Sequence, residues 1–86
     1  MNITRETVAG KLADYLHHRI SLAVLVDWCE SAMDNGAFEE GHFSEIRDVV
    51  ARLGVADVRA FGLTLEDCER SLEQLGYAVR VEVVAA

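Results

Sequence analysis

No proline interrupts the 86-residue chain, so glycines and helix-capping side chains are its only punctuation. Long apolar runs are missing as well. The longest, residues 22–26, falls far short of the ~18 apolar residues that suggest a membrane span. The opening Met1-Asn2-Ile3-Thr4-Arg5-Glu6 lacks the basic-then-apolar layout of a secretory signal. The expectation is a soluble, cytoplasmic protein with no membrane contact. Cysteine is scarce: Cys29 and Cys68 each fall within an apolar helical period, where a thiol behaves as a small buried hydrophobe rather than half of a disulfide. Basic charge is scarce too, with 8 Lys and Arg against 15 Asp and Glu and a net charge of −7. Such a field repels phosphates and attracts basic surfaces, which disfavours direct binding to nucleic acid.

Residues that carry chemistry are equally thin. His17, His18 and His42 are the only histidines, and adjacent residues on a helix point about 100° apart, so His17 and His18 do not converge on one metal. No serine or cysteine stands beside a matched base, and there is no glycine-rich phosphate loop. Paired acids such as Glu39-Glu40 and Glu66-Asp67 follow from the acidic composition. The sequence therefore assigns no catalytic residue, no cofactor and no metal ligand, and the protein is expected not to be an enzyme.

What is present is apolar content, 51% of the chain, too much for a disordered polypeptide and enough for one core in one domain over residues 1–86. Thr4 is a natural N-cap, followed by Val8, Leu12, Tyr15 and Leu16 at helical spacing. Ser21 opens a second helix with Leu22, Leu25, Val26, Cys29, Ala32 and Met33, and Asn35-Gly36 supplies a left-handed close. After a connector anchored by Phe38, a third stripe runs Phe43, Ile46, Val50, Leu53 and stops at Gly54. Thr64 caps a fourth, Leu65, Cys68, Leu72, Leu75, with Asp67 at the capping-box position and Gly76 as its stop. Residues 77–84 change period: Tyr77, Val79, Val81 and Val83 alternate with Arg80 and Glu82, the pattern of a half-buried strand.

The fold expected is mainly α: a compact four-helix domain, with helices near residues 4–19, 21–34, 40–53 and 64–75. A single C-terminal strand, 77–84, pairs either with the N-terminus or across an oligomer. Its core holds Val8, Leu12, Leu16, Leu22, Leu25, Val26, Cys29, Ile46, Val50, Leu53, Phe61, Cys68, Leu72 and Leu75.

Two partial resemblances bear on function. Ser21-Leu22 at a helix start is similar to the carrier serine of acyl-carrier domains, but Ile20 stands where those domains place an acid. Residues 8–33 resemble a helix-turn-helix, with Leu12-Ala13 and Leu16 leading through a turn to Ile20-Ser21 and on to Trp28. That resemblance implies a DNA-linked regulator. The turn is longer than the motif's and lacks its glycine, and the would-be reading helix offers Asp27 and Glu30 but no Arg, Lys, Gln or Asn for base edges.

The strongest pointer is the distribution of charge. Residues 27–48 carry Asp27, Glu30, Asp34, Glu39, Glu40, Glu45 and Asp48 against Arg47 alone. The expectation is a non-enzymatic protein-interaction module whose acidic face docks a basic protein partner, in the manner of an antitoxin or immunity-type inhibitor. Its candidate partner-binding residues are Asp34, Glu39, Glu40, Trp28 and Val81, with a homodimer through residues 77–84. The alternatives are the DNA-linked regulator and a structural oligomer subunit.

Overall fold

Where each helix begins follows from local chemistry. The computed structural model describes residues 1–86. Its α1 (Arg5–Leu16), α2 (Leu22–Asn35) and α4 (Leu65–Gln74) all start behind the hydroxyl caps read from the sequence. Thr4 Oγ1 accepts from Thr7 N–H at 3.1 Å, Ser21 Oγ from Val24 N–H at 3.2 Å, and Thr64 Oγ1 from Asp67 N–H at 3.1 Å. Each cap satisfies one of the donors that a helix start leaves free. Asp67 closes the box, its Oδ2 accepting from Thr64 N–H at 2.9 Å. By contrast α3 (Phe43–Leu53) has no side-chain cap and is entered through a 3₁₀ turn, Glu40–His42. The helix expected from residue 40 therefore begins three residues late.

The first helix ends earlier than its apolar spacing suggests, at Leu16 rather than residue 19, and five residues separate it from α2 instead of one. His18 causes the stop. It adopts a left-handed backbone, φ +62°, and completes a Schellman motif: Arg19 N–H donates to Asp14 C=O at 2.8 Å and His18 N–H to Tyr15 C=O at 3.1 Å. An ion pair, Arg19 Nη1 to Asp14 Oδ1 at 3.2 Å, spans the same turn. The fourth helix closes by the same motif with the usual residue, Gly76 at φ +95°, through Tyr77 N–H to Leu72 C=O and Gly76 N–H to Glu73 C=O, both 2.9 Å. Histidine bears a left-handed cost that glycine does not. His18→Gly should therefore raise the unfolding free energy by about 0.5–1 kcal/mol in urea melts, and His18→Val should lower it by about 1 kcal/mol. The reverse ranking would mean that the turn is not held left-handed.

The sheet is a correction to the sequence reading. Residues 77–84 form no strand. Instead β1 (Asn2–Ile3) and β2 (Ala37–Phe38) pair in parallel, Asn2 opposite Ala37 and Ile3 opposite Phe38. Ala37 N–H donates to Met1 C=O at 2.7 Å and Glu39 N–H to Ile3 C=O at 2.9 Å. The N-terminal residues thus have a ladder partner, and it is not the tail. Parallel pairing needs a long crossover, which α1 and α2 supply. The tail leaves α4 through the Gly76 turn and meets no ladder, so its alternating pattern finds nothing to pair with inside the chain.

One core joins these elements: Ile3 of β1, Val8 and Leu12 of α1, Leu25, Cys29 and Ala32 of α2, Ile46, Val49, Val50 and Leu53 of α3, and Cys68, Leu72 and Leu75 at α4. Of the expected members, Val26 is buried but outside this cluster, and three others are not fully buried. Leu16 is half-buried against its edge, Leu22 is half-buried, and Phe61 is 58% exposed. Phe61 sits in a run of tight turns after α3, with Val58 N–H donating to Val55 C=O and Phe61 N–H to Val58 C=O. That run turns the small Ala56 inward and leaves the phenyl ring outside. Arg52 ties the run down, its Nη2 donating to Gly62 C=O at 3.1 Å and to Asp67 Oδ2 at 3.2 Å. No helix is long and apolar enough to cross a membrane.

Candidate functional site

Helical period puts Asp27, Glu30 and Asp34 on one side of α2, at spacings of three and four, and all three are exposed or at its rim. The opposite side of α2 buries Leu25, Cys29 and Ala32 against α3. Between the two helices a surface groove of about 420 Å³ remains. Met33, Val50, Ala51 and Val55 give it an apolar lining, and Glu30 and Asp34 line it with carboxylates. Met33 is 45% exposed, so a large flexible apolar side chain stands in solvent beside two acids. On α3, Glu45 and Asp48 are also exposed. Arg47, the one base of this segment, is engaged by Asp48 at 3.3 Å and lies over the Phe43 ring at 5.7 Å. The segment therefore presents carboxylates with little to neutralise them.

The five residues singled out from the sequence are not gathered into one patch. Asp34 lies on the groove and Glu40 is exposed in the 3₁₀ turn. Glu39 is half-buried directly after β2, with Oε1 shielded from solvent and without a hydrogen-bond partner. It lines a small cavity of about 170 Å³ with Thr4, Arg5, Glu6 and Tyr77, and Arg5 Nε is likewise shielded and unpaired. Trp28 is half-buried at the edge of the core, with the Lys11 ammonium 5.6 Å from its ring. Val81 stands in the tail, 65% exposed. The groove residues Met33, Val50, Ala51 and Val55 escaped the sequence reading as a site. Their signal was a stripe that runs one residue past what α2 buries, followed by Val55 after the Gly54 stop.

Three titratable groups are shifted from their ordinary range, Asp67, Cys29 and Cys68. Backbone and hydroxyl hydrogen bonds from Thr64, opposed by partial desolvation and helped by Arg52 and Arg70, hold the Asp67 carboxyl below its ordinary range. Burial, with a smaller contribution from Glu30, pushes the Cys29 thiol up to about 12. Cys68 is raised in the same way by burial and then by Asp67. Only thiolates attack, so both cysteines should react with a thiol reagent far more slowly in the native protein than in denaturant. Reaction of either at the rate of an exposed cysteine would show that its helix opens readily. No three His, Cys, Asp or Glu side chains are grouped so as to hold a metal ion.

What the groove offers chemically is complementarity: an apolar strip a few side chains long, with negative charge alongside it. No family model, no curated protein and no solved structure matches this chain.

Proposed function

We propose that this protein is a non-enzymatic interaction module whose α2–α3 face docks a basic protein segment, as an inhibitor of the antitoxin or immunity type would. One observation carries the reading: an apolar groove lined by Met33, Val50, Ala51 and Val55 runs beside Glu30 and Asp34. A segment with an apolar stripe flanked by Arg or Lys fits both features, burying its stripe between the helices and setting its charges against the carboxylates. Pairing of two copies through residues 77–84 belongs to the same proposal as a separate element of assembly. The α2 surface bears Asp27, Glu30 and Asp34 and no base, so a DNA-linked regulator built on residues 8–33 has a repulsive reading helix.

The test is charge reversal at exposed positions. Glu30→Lys, Asp34→Lys and Glu40→Lys together leave the core untouched, and Glu39 is kept because it is half-buried. The melting temperature should stay within about 2 °C, as for most surface changes. With the wild-type chain as bait in its native host, association of the co-purified basic protein should slow about tenfold or more in the triple variant. The wild-type rate should fall steeply with salt. An unchanged rate and salt response would mean that these acids only solubilise the protein. Salt-sensitive retention on DNA would instead favour the regulator, and self-assembly alone the structural subunit.

A further inference from the structure

The tail has backbone to spare. Tyr77 N–H to Leu72 C=O is the last backbone hydrogen bond of the chain, and every N–H and C=O from residue 78 onward is without a partner in the protein. Its apolar row is equally unspent. Val79 packs at the edge of the core, whereas Val81 is 65% and Val83 96% exposed. Beside Val79 lies a groove of about 440 Å³ formed by the tail and α1, whose lining includes Ala9, Gly10, Ala13 and Leu72. A Cβ at Gly10 would meet nothing within 4 Å, so this side of α1 is open.

We propose that residues 79–83 pair with the same residues of a second copy as an antiparallel two-fold ladder centred on Val81. This rests on the pairing of two copies and is independent of the acidic face. The sequence Val79-Arg80-Val81-Glu82-Val83 is self-complementary in that register alone. Val81 meets Val81, Val79 meets Val83, and Arg80 meets Glu82 twice, once on each side of the axis. Residues directly opposite share a face of the ladder, so the valines form one apolar row and the four charges two ion pairs on the other side.

Every neighbouring arrangement is worse. A slip that centres the axis on Arg80 sets two arginines opposite each other, and centring on Glu82 does the same with two glutamates. An odd slip places valines against charges and mixes the two faces. Parallel in-register pairing opposes like charges at both positions. In the favoured register the second copy's Val83, the most exposed valine of the free chain, lies about 5 Å from Val79 at the edge of the α1 groove. The ladder thus adds to a surface that already has core behind it, which an isolated pair of strands lacks.

The register makes a test that composition alone would not pass. Wild-type protein at about 100 μM should sediment as a dimer, which at this concentration requires micromolar or tighter association. Arg80→Glu and Glu82→Arg should each weaken dimerisation about tenfold or more, because each turns both ion pairs into like-charge pairs. An equimolar mixture of the two variants should form a heterodimer. One chain then carries acid at both positions 80 and 82 and the other carries base at both, so opposite charges face each other across the ladder. The double variant Arg80→Glu/Glu82→Arg should dimerise like wild type. All positions lie in the exposed tail, so circular dichroism and melting of the helical body should not change. A monomeric wild type, a dimer indifferent to both single changes, or a mixture and double variant that fail to recover would each overturn the proposal.

Discussion

Gly36→Ala is expected to cost about 3 kcal/mol, a sizeable share of the margin of a domain this size, and to lower the melting temperature by about 15 °C. The cause is space, not backbone freedom. Gly36 has φ −81° and ψ 145°, values open to any residue. A Cβ there, however, would run into the carbonyl oxygen of Ala32 and come within 2.8 Å of Ile3 Cγ1. The first is backbone and cannot rotate away. It also accepts the last helical bond of α2, from Gly36 N–H at 2.8 Å, and the next residue donates into the β1–β2 ladder. Relief of the clash must loosen one or the other. Gly10→Ala is the matching control, since nothing lies near that position and the site is helical. It should raise stability by about 0.5–1 kcal/mol. Chemical denaturation of both variants checks the pair, and a Gly36→Ala protein as stable as wild type would show that α2 and β1 do not meet this closely.

Ile3→Ala should have an effect of similar size, about 3 kcal/mol, although the residue sits in a two-residue strand at the end of the chain. Its side chain is fully buried in the main core, and Ile-to-Ala losses at such positions fall at about 2–5 kcal/mol. The few ladder hydrogen bonds of so short a strand could not hold it against its conformational entropy. The isoleucine is what anchors it. Amide exchange can separate this from general destabilisation. In Ile3→Ala the N–H groups of Ala37 and Glu39, which donate to Met1 and Ile3, should lose protection beyond the global change, while Tyr77 N–H, bonded to Leu72, should follow the global change alone. The two substitutions should also couple, the double variant being less destabilised than the sum by about 1 kcal/mol, because removal of the isoleucine makes room for the new methyl group. Strict additivity would place the cost of Gly36→Ala entirely on the Ala32 carbonyl.

These two residues mark the boundary of what the primary structure reveals. Ile3 is one apolar residue before a cap and belongs to no stripe. Gly36 reads as an ordinary left-handed helix stop, yet it serves a close approach. The same limit applies at the candidate site. Asp34 and Glu40 were legible as exposed acids beside a helix end, and they are exposed. Glu39, their neighbour in sequence, turns into the cavity shared with Arg5 and Tyr77 because β2 pairing sets the direction of the chain that follows it.

The amino-acid sequence by itself determines the four helices, three of their caps, the Gly76 stop and the concentration of acid over residues 27–48. Each depends on interactions spanning a few residues: a hydroxyl and an amide three positions apart, apolar side chains at a 3.6-residue period, and charges counted along the chain. Tertiary structure alone decides that the N-terminus pairs with residues 37–38 and not with the tail, that Phe61 faces outward, and that α2 and α3 leave a groove between them. A strand is completed only by a partner remote in sequence, so the alternating pattern of residues 77–84 states a readiness to pair and leaves the partner open. Burial is likewise a property of what packs opposite. Ala56 is buried in the turns after α3 while Phe61 stays exposed, and no local pattern distinguishes the two.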